Sequence, residues 1–524
     1  KNIGDYAFDG CTALKHVFFE GSENQWFGEV LIGINNTGVE DDHPIRLQKL
    51  FFDSRIYENG LVYRVNDSSE IEISGIMETC DEVEIPAEIN SIPVKSIGFN
   101  AFASWSYLNS VSLPEGLALI DEHAFYGSIG LSSVNIPKSV EQVGMSAFWN
   151  TAFYNNSSLT QIDLSKALSI GEYAFAGCET LEEVTITAPK VKYAAYAFTG
   201  CEKLKSFYVN AAVLPEGMFY ECEDLKEITI GPDVNAIGEF AFLDTDVATF
   251  EVKEGNKAFK SGKKGYILST DGKTLIAAAP ALSGDITAEQ LGGGKITAIG
   301  DGAFSHNGKV TSVTLPDVTK VGDYAFGSAK QITAVTLGEL KEIGEYAFFE
   351  TAITTLPVFT AKTEIGRYAF AFASATSITL PEGVEEIKEA AFYFCQKVKA
   401  LSLPASLKKF ATDSFAFMTA LESITVAEGN AAFASKQNCL IRLSDKTLVL
   451  GCAKSTIPSD GSVTKIGSAA FAGAVALEKV TIPEAVTEIG PNAFYATALT
   501  QASFAQNRWY VSASTDTTVG TAID

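Results

Sequence analysis

The sequence has 524 residues, and with a hydrophobic share of 46% it has the composition of a globular protein. Its formal net charge of −25 disfavours nucleic acid as a partner, because binding the phosphate backbone requires Lys and Arg residues gathered on one face. No run of about 18 apolar residues occurs, so the sequence predicts no membrane span in this fragment.

Two segments, residues 1–50 and 51–96, precede the main repeat arrays. Lys1 stands inside a repeat (KNIGDYAF), so we interpret the sequence as a fragment of a longer protein. Residues 1–50 are expected to be the end of a first repeat array with a capping segment, because the period is lost after residue 19. Residues 51–96 alternate apolar and polar positions between turn signals, which predicts a β-rich joining segment.

A repeat array is predicted over residues 97–250. Each unit contains a hexad such as IGEYAF at 170–175, which closes on a phenylalanine, and then a short strand with alternating apolar residues. Most of the closing phenylalanines are 23 residues apart, and they are Phe102, Phe125, Phe148, Phe175, Phe198, Phe219 and Phe242.

Two similar segments interrupt the repeats. The first insert, 251–298, and the second insert, 428–465, both contain EGNxAF followed by two apolar strands with an Asp turn between them. Asp271-Gly272 is a strong hairpin signal in the first insert. The inserts are interpreted either as hairpins that complete a structural coil, which we favour, or as dedicated binding arms.

The strictest repetition lies in the array predicted over residues 299–427. Its closing phenylalanines are 22 residues apart, at Phe304, Phe326, Phe348, Phe370 and Phe392. A fixed period of this length predicts a solenoid, because one coil cannot bury its own apolar side chains and has to stack on its neighbours. Residues 466–524 are predicted to hold terminal repeats and a Ser/Thr-rich tail.

The repeat unit IGxxAFxxCxxLxxVxIP, seen at 170–186 and 466–486, resembles the BspA-like bacterial leucine-rich repeat family. The resemblance extends over nearly the whole chain. It implies a right-handed leucine-rich-repeat coil with a parallel sheet on the concave face and short irregular or helical turns on the other, with β-hairpin inserts added. It also implies a secreted or surface-attached bacterial protein that adheres to host matrix proteins or other cells.

The outward residues of the predicted strands are the candidate binding residues. They follow from the alternation of each strand, in which the apolar positions point inward. The set is Thr185, Tyr208, Thr229, Thr314, Thr336, Thr379, Thr425 and Thr481. Threonine is also a favourable solvent-facing strand residue, so the same row has a purely structural interpretation. Tyr208 is the exception, because an exposed ring is a plausible contact anchor.

The eight cysteines favour packed free thiols over disulfides. Cys178, Cys201 and Cys222 follow the hexad phenylalanines of consecutive repeats by three residues, at a position that elsewhere holds small side chains. Stacking would bring them close to disulfide distance, so their bonding stays open. The sequence has no Cys-x-x-Cys, and its four histidines are isolated, so we predict no metal and no cofactor.

The function expected from the sequence is binding rather than catalysis. No residues suggest a nucleophile with a base and an orienting group, so we expect no enzyme activity. The favoured function is an extracellular or cell-surface scaffold that binds a protein, such as a host matrix protein, through its concave face or its inserts. The alternative is a carbohydrate-associated module that binds glycans or, less readily, hydrolyses them, since carboxylates are abundant.

Overall fold

The computed structural model describes residues 2–3, 17–19, 31–32, 50–52 and 54–505, with gaps at 78–79, 132, 150–160, 187–190, 293 and 412. The chain divides into two compact units, 1–310 and 311–524. The segments predicted from the sequence subdivide the chain more finely and stay predictions. The predicted capping segment lies largely outside the described residues, and the tail from residue 506 lies wholly outside them.

Stacked coils of chain form both units, which confirms the predicted solenoid. Each coil contributes one strand to what we call the first row. In the first unit these strands are Glu82–Glu84, Ser110–Ser112, Ser133–Asn135, Gln161–Asp163, Glu183–Thr185, Ser206–Val209, Glu227–Ile230, Thr249–Val252 and Gly284–Thr287. In the second unit they are Val310–Leu315, Ala334–Leu337, Ser377–Thr379, Ala400–Leu403, Ser423–Val426, Lys479–Ile482 and Gln501–Phe504. Neighbouring strands pair in parallel, as Phe207, Ile228 and Phe250 do in consecutive coils.

A second row of strands was not predicted from the sequence. In the first unit it consists of Ile92–Ile97, Leu119–Ile120, Gln142–Val143, Ser169–Ile170, Lys192–Tyr193, Val213–Leu214, Ala236–Ile237 and Ala298–Ile299. In the second unit it consists of Lys320–Val321, Leu340–Ile343, Phe359–Ile365, Glu386–Ile387, Lys409–Phe410, Lys465–Ile466 and Glu488–Ile489. Most of these strands are two residues long, too short for alternation to reveal them.

The hexads form the corners of the coils. The fourth hexad residue has a left-handed backbone, with φ of 53° at Tyr173 and 54° at Tyr346. Corners bond to the corners of the next coil, since the amides of Tyr346 and Phe348 donate to the carbonyls of Arg367 and Ala369. The corners are irregular turns, and the 3₁₀ helix Glu58–Gly60 is the one helix among the described residues. The resemblance implied irregular or helical turns at this position, and the structure shows irregular ones.

The hexad phenylalanines stack along the core of each unit. Phe326, Phe348 and Phe370 are almost fully buried, and the centroids of successive rings lie 5.0 Å apart. In the first unit Phe102 and Phe125 stack in the same way at 5.3 Å. Each ring is thus covered by the coils before and after it, which is the obligatory stacking that the repeat predicts.

Residues 55–97 lead into the array of the first unit. The strands Arg55–Ile56, Leu61–Val65 and Ile71–Ile76 pair antiparallel in chain order, and Ile71–Ile76 pairs in parallel with Ile92–Ile97. The short strand Glu88–Ile89 pairs antiparallel with Ile92–Ile97. Before residue 54 the described strands are Asn2–Ile3, Val17–Phe19, Leu31–Ile32 and Leu50–Phe52.

Both inserts are three-stranded antiparallel sheets, which confirms the predicted hairpins. The strands are Phe259–Ser261, Tyr266–Ser269 and Thr274–Ala278 in the first insert, and Phe433–Lys436, Cys439–Arg442 and Thr447–Leu450 in the second. The last strand of each then pairs in parallel with the next second-row strand, at Leu275 with Ile299 and at Leu448 with Ile466. The inserts therefore complete a coil and continue the stack, as the structural interpretation expects.

One asparagine ties each insert to the preceding coil. The Asn430 side-chain amide donates to the carbonyls of Pro404 and Leu407 at 2.8 and 3.0 Å, and its oxygen accepts from the amides of Ala432 and Phe433. Asn256 makes the equivalent four bonds in the first insert. This network explains the asparagine shared by the two EGNxAF sequences.

Replacing Asn430 by alanine is expected to destabilise the second unit by about 2 kcal/mol, because four part-buried backbone groups lose their partner. Urea unfolding followed by circular dichroism measures the effect. The variant Asn430→Asp keeps the acceptor but turns a carboxylate oxygen toward the carbonyls of Pro404 and Leu407, so we expect a loss at least as large as that of the alanine variant. An alanine variant as stable as the wild type would show that water replaces the network without cost.

Candidate binding surfaces

The structure places all eight candidate threonine and tyrosine residues on first-row strands. Seven of the side chains are exposed, and Thr229 is half-buried. Tyr208 is 40% exposed, while its neighbours Phe207 and Val209 point into the core. The alternation read from the sequence therefore gave the correct outward residues, although their role in binding stays a prediction.

The candidate residues form separate groups rather than one continuous row. Tyr208 pairs directly with Thr229 in the first unit. In the second unit Thr314 pairs with Thr336. Thr379 and Thr425 flank Ser402, whose hydroxyl lies 3.0 Å from that of Thr425. Thr185 lies beside Asp163 and Thr481 beside Ser503, so neither is paired with another candidate.

The corners of the second unit carry a surface that the sequence analysis missed. Nine aromatic rings form a chain of contacts, with centroid separations between 4.6 Å for Tyr324–Tyr346 and 6.1 Å for Phe417–Tyr495. We call this surface the aromatic ridge. It consists of Tyr324, Tyr346, Phe349, Tyr368, Phe372, Tyr393, Phe394, Phe417 and Tyr495.

The corner backbone explains why these rings lie at the surface. Tyr346 is a fourth hexad residue in the left-handed conformation, and Phe372 has the same conformation two residues after its hexad. Between them the hexad phenylalanine Phe370 points into the core and is fully buried. Phe372 is 40% exposed and Tyr495 is 60% exposed, whereas an aromatic ring normally gains by burial.

Carboxylates accompany the aromatic ridge. Asp323, Glu345 and Glu350 are each adjacent in the sequence to one of its rings. Glu389 lies in the next coil, where its backbone carbonyl accepts a hydrogen bond from the Tyr368 amide. Arg367 pairs with Glu389 at 2.9 Å and Lys330 with Glu350 at 3.1 Å. Desolvation raises the pKa of the Tyr368 hydroxyl, and the charge of Glu389 raises it further. The ridge thus combines apolar rings with an excess of negative charge.

The first unit has a shorter row of the same kind. Phe99, His123, Tyr126, Trp149, Tyr173 and Tyr196 form successive ring contacts between 5.1 and 5.9 Å. A hydrogen bond of 2.7 Å from the Tyr196 hydroxyl to Glu216 raises the pKa of that tyrosine to about 12. His123 contacts both Phe99 and Tyr126 and is part of this row.

The sequence does contain a signal for the aromatic ridge and for the shorter aromatic row of the first unit. Tyrosine recurs as the fourth hexad residue in VGDYAF, IGEYAF and IGRYAF, and aromatic residues follow the hexads in AFF, AFAF and AFYF. Their outward orientation is not evident from the sequence, because a side chain at a turn has no alternation to reveal it. The left-handed backbone, which places them on one surface, is a property of the stacked coils.

Hydrogen bonds explain which residues occur three positions after the hexad phenylalanines. The thiols of Cys201, Cys222 and Cys395 donate to the phenylalanine carbonyl of the preceding coil at 3.0 to 3.3 Å. Ser128 donates in the same way to Phe102. Cys178, Cys201, Cys222 and Cys395 are buried free thiols, and burial raises the pKa of Cys395 to about 12, which makes that thiol unreactive. Cys11 lies outside the described residues.

The sequence profile of the BspA type leucine rich repeat region (6 copies) matches residues 79–152, 149–263, 297–422, 363–440 and 449–515. These ranges together cover more than half of the chain. The chain belongs to the BspA-type leucine-rich repeat family. The hexads, the stacked phenylalanines and the first-row strands described above are thus features of BspA-type repeats in this chain.

Solved structures that are similar to this chain come from several bacteria. A leucine rich cell surface protein from Faecalibacterium prausnitzii is 20% identical, with 71% of this BspA-type chain and 94% of the other covered and a TM-score of 0.46. A leucine-rich repeat protein from Bacteroides ovatus is 20% identical, with coverage of 82% and 95% and a TM-score of 0.40. The pneumococcal vaccine antigen PcpA is 17% identical, with coverage of 86% and 98% and a TM-score of 0.44. No curated protein gives a significant match.

Two further kinds of site are absent from the described part of this BspA-type chain. No three His, Cys, Asp or Glu side chains there come together in a way that could hold a metal ion. None of the described helical residues forms a helix long and apolar enough to cross a bilayer. The candidate binding surfaces described above are the first-row strand face, the aromatic ridge of the second unit and the shorter aromatic row of the first unit.

Proposed function

We propose that this protein is a binding scaffold at the bacterial cell surface or outside the cell, and that its partner is a protein. The observation that carries the proposal is the aromatic ridge of the second unit. Two of its nine rings, Phe372 and Tyr495, are exposed, and the other seven are half-buried. Apolar patches at a surface mark interaction sites, and tyrosine is enriched among the residues that dominate binding energy. The proposal assigns no catalysis to the chain.

The chemistry of the ridge favours a partner whose contact surface is both basic and apolar. Lys and Arg side chains bind favourably to the faces of aromatic rings and to nearby carboxylates such as Glu345 and Glu350, and the ridge offers both. The excess of acids over cations along the ridge would also accelerate association with a positively charged surface. Host matrix proteins with basic binding segments are the class we propose.

The first-row strand face is proposed as a second contact surface. Its short hydroxyl side chains, such as Thr314 and Thr336, offer hydrogen bonds without the entropy cost of ordering long side chains. Tyr208 is the residue on this face with the size of a contact anchor. The inserts are proposed to contribute mainly by completing the coils that carry these surfaces.

Substituting the ridge should weaken binding more than substituting the strand face. We expect Phe372→Ser combined with Tyr495→Ser to weaken binding to an immobilised matrix-protein segment rich in Lys and Arg about tenfold or more. Surface plasmon resonance with the whole chain measures the affinity. Threonine-to-alanine changes at Thr314 and Thr336 should have a smaller effect.

The control for that experiment is Tyr107→Ser, which removes an aromatic side chain that is 73% exposed but lies in the first unit. Its affinity should equal that of the wild type. Rising salt should slow association of the wild-type chain, because the attraction is partly electrostatic. Equal affinities for the ridge variant and the wild type would remove the ridge as the binding surface.

A further inference from the structure

A recess of about 320 Å³ lies in the second unit beside the second insert. Its walls include Lys408, Lys409, Phe410, Phe433, Arg442 and Thr447. This volume falls at the lower end of the range for small-molecule sites, about 300 to 1,000 Å³, and suits a single sugar-sized ring. The recess is distinct from the aromatic ridge and from the first-row strand face.

The insert creates the recess by interrupting the second row. One sheet ends at Lys409–Phe410, which pairs in parallel with Glu386–Ile387. The next sheet begins with Phe433–Lys436 at its edge and reaches the second row again at Thr447–Leu450. The hollow therefore lies where the second insert departs from the regular stack.

The walls of the recess offer donors and an aromatic surface. Its lining residues include the three cations Lys408, Lys409 and Arg442 and no acidic residue. The rings of Phe410 and Phe433, which also line the recess, lie 5.0 Å apart. The charged residues that line the recess are thus all cations, in a chain with a net charge of −25. Its complement is a compact molecule with negative charge and an apolar ring face.

Ion pairs outside the recess position the three cations. Lys408 pairs with Glu385 at 2.8 Å and Lys409 with Glu386 at 2.9 Å. The guanidinium of Arg442 donates two hydrogen bonds to Asp445, at 3.0 and 2.8 Å. Because exposed ion pairs contribute little to stability, the fold gains little from these cations. Each cation keeps further donors for an anion.

The first insert shows that the fold does not require the cations. Phe259 pairs with Ser269 in the first insert, as Phe433 pairs with Arg442 in the second, so serine stands where the second insert has arginine. The preceding second-row strands correspond as well, since Ile237 and Phe410 both stand five residues before a hexad phenylalanine. Asn235 and Ala236 thus replace Lys408 and Lys409.

We propose that the recess binds a carboxylated sugar, such as a hexuronic acid residue of a glycan. The carboxylate is held by the cations of Lys408, Lys409 and Arg442, and the sugar ring lies against Phe410. Charge-assisted hydrogen bonds supply the specificity for the anion, and the phenylalanine side chains favour a ligand with a ring over a small ion. The site would give this protein a glycan partner in addition to the proposed protein partner.

Isothermal titration of the whole chain with glucuronate tests the proposal, with glucose and sodium sulfate as comparison ligands. We expect saturable millimolar binding of glucuronate and at least tenfold weaker binding of the other two. Equal binding of glucose would contradict the role of the cations. Equal binding of sulfate would show that the recess is a general anion site and would contradict the proposed contact between the sugar ring and Phe410.

The first insert supplies the variant that separates binding from folding. Lys408→Asn with Lys409→Ala and Arg442→Ser places the residues of the first insert in the second. This variant should keep the wild-type melting temperature and lose glucuronate binding at least tenfold. The control changes three ion-paired cations elsewhere in the second unit, Lys320→Asn, Lys330→Ala and Arg367→Ser, and should bind as the wild type does. Unchanged binding by the first variant, or equal loss by the control, would overturn the assignment.

Discussion

Replacing Phe370 by alanine is expected to lower the free energy of unfolding of the second unit by about 3 to 5 kcal/mol. The ring is fully buried and stacks on Phe348 and Phe392 at 5.0 and 5.3 Å, with Phe359 packed edge-on at 5.8 Å. Its removal leaves a cavity between three coils, because the corner backbones are fixed by hydrogen bonds between coils. Urea unfolding followed by circular dichroism measures the loss.

The matched control is Phe372→Ala, two residues along the same corner. Phe372 is 40% exposed, so its removal creates no closed cavity, and we expect a loss of about 1 kcal/mol or less. Similar losses for the two variants would mean that the stacked core rings are not the main source of stability. Because coils interact only with their neighbours, the Phe370 variant should also unfold in a broader transition.

Replacing Gly366 by alanine is expected to destabilise the second unit by about 1 to 3 kcal/mol or more, through steric overlap. An added Cβ would lie 2.5 Å from the carbonyl carbon and oxygen of Gly344 and 2.6 Å from the amide nitrogen of Glu345. These are backbone atoms of the preceding coil, which cannot move aside as a flexible side chain can. Thermal unfolding of the purified variant should show a clear decrease in Tm.

Gly467→Ala is the control, since Gly467 is the second residue of its hexad just as Gly366 is. There the nearest atoms to an added Cβ would be the Leu448 carbonyl oxygen at 3.0 Å and a Thr447 methyl at 3.2 Å. The steric cost is smaller, and it is partly offset by the lower entropy of the unfolded chain. We expect a change near zero, and a loss as large as that of Gly366→Ala would show that local backbone geometry, rather than contact between coils, requires glycine.

Gly366 and Gly467 show which property of the hexads the sequence does not reveal. The second hexad position is usually glycine, but Lys388 occupies it in IKEAAF. The sequence alone gives no means of telling which of these glycines a side chain could replace. The answer depends on how closely the preceding coil approaches, and that distance exists only in the stacked structure.

The candidate surfaces show a similar division. The outward position of Tyr208 and Thr314 follows from alternation within a strand, because successive side chains point to opposite faces. The aromatic ridge instead joins residues of different coils, such as Tyr346 and Tyr368. Their left-handed turns are stabilised by hydrogen bonds to the next coil, and no local pattern specifies them.

By itself, the sequence determined the solenoid, the hairpin inserts, the buried phenylalanines and the outward strand residues. Each of these depends on a period or an alternation, which is a local property of the chain. The tertiary structure alone decided the second row of strands, the ridge, the Asn430 network and the recess with its three cations. These features arise when residues from different coils come into contact, so they depend on distances that the order of residues does not record.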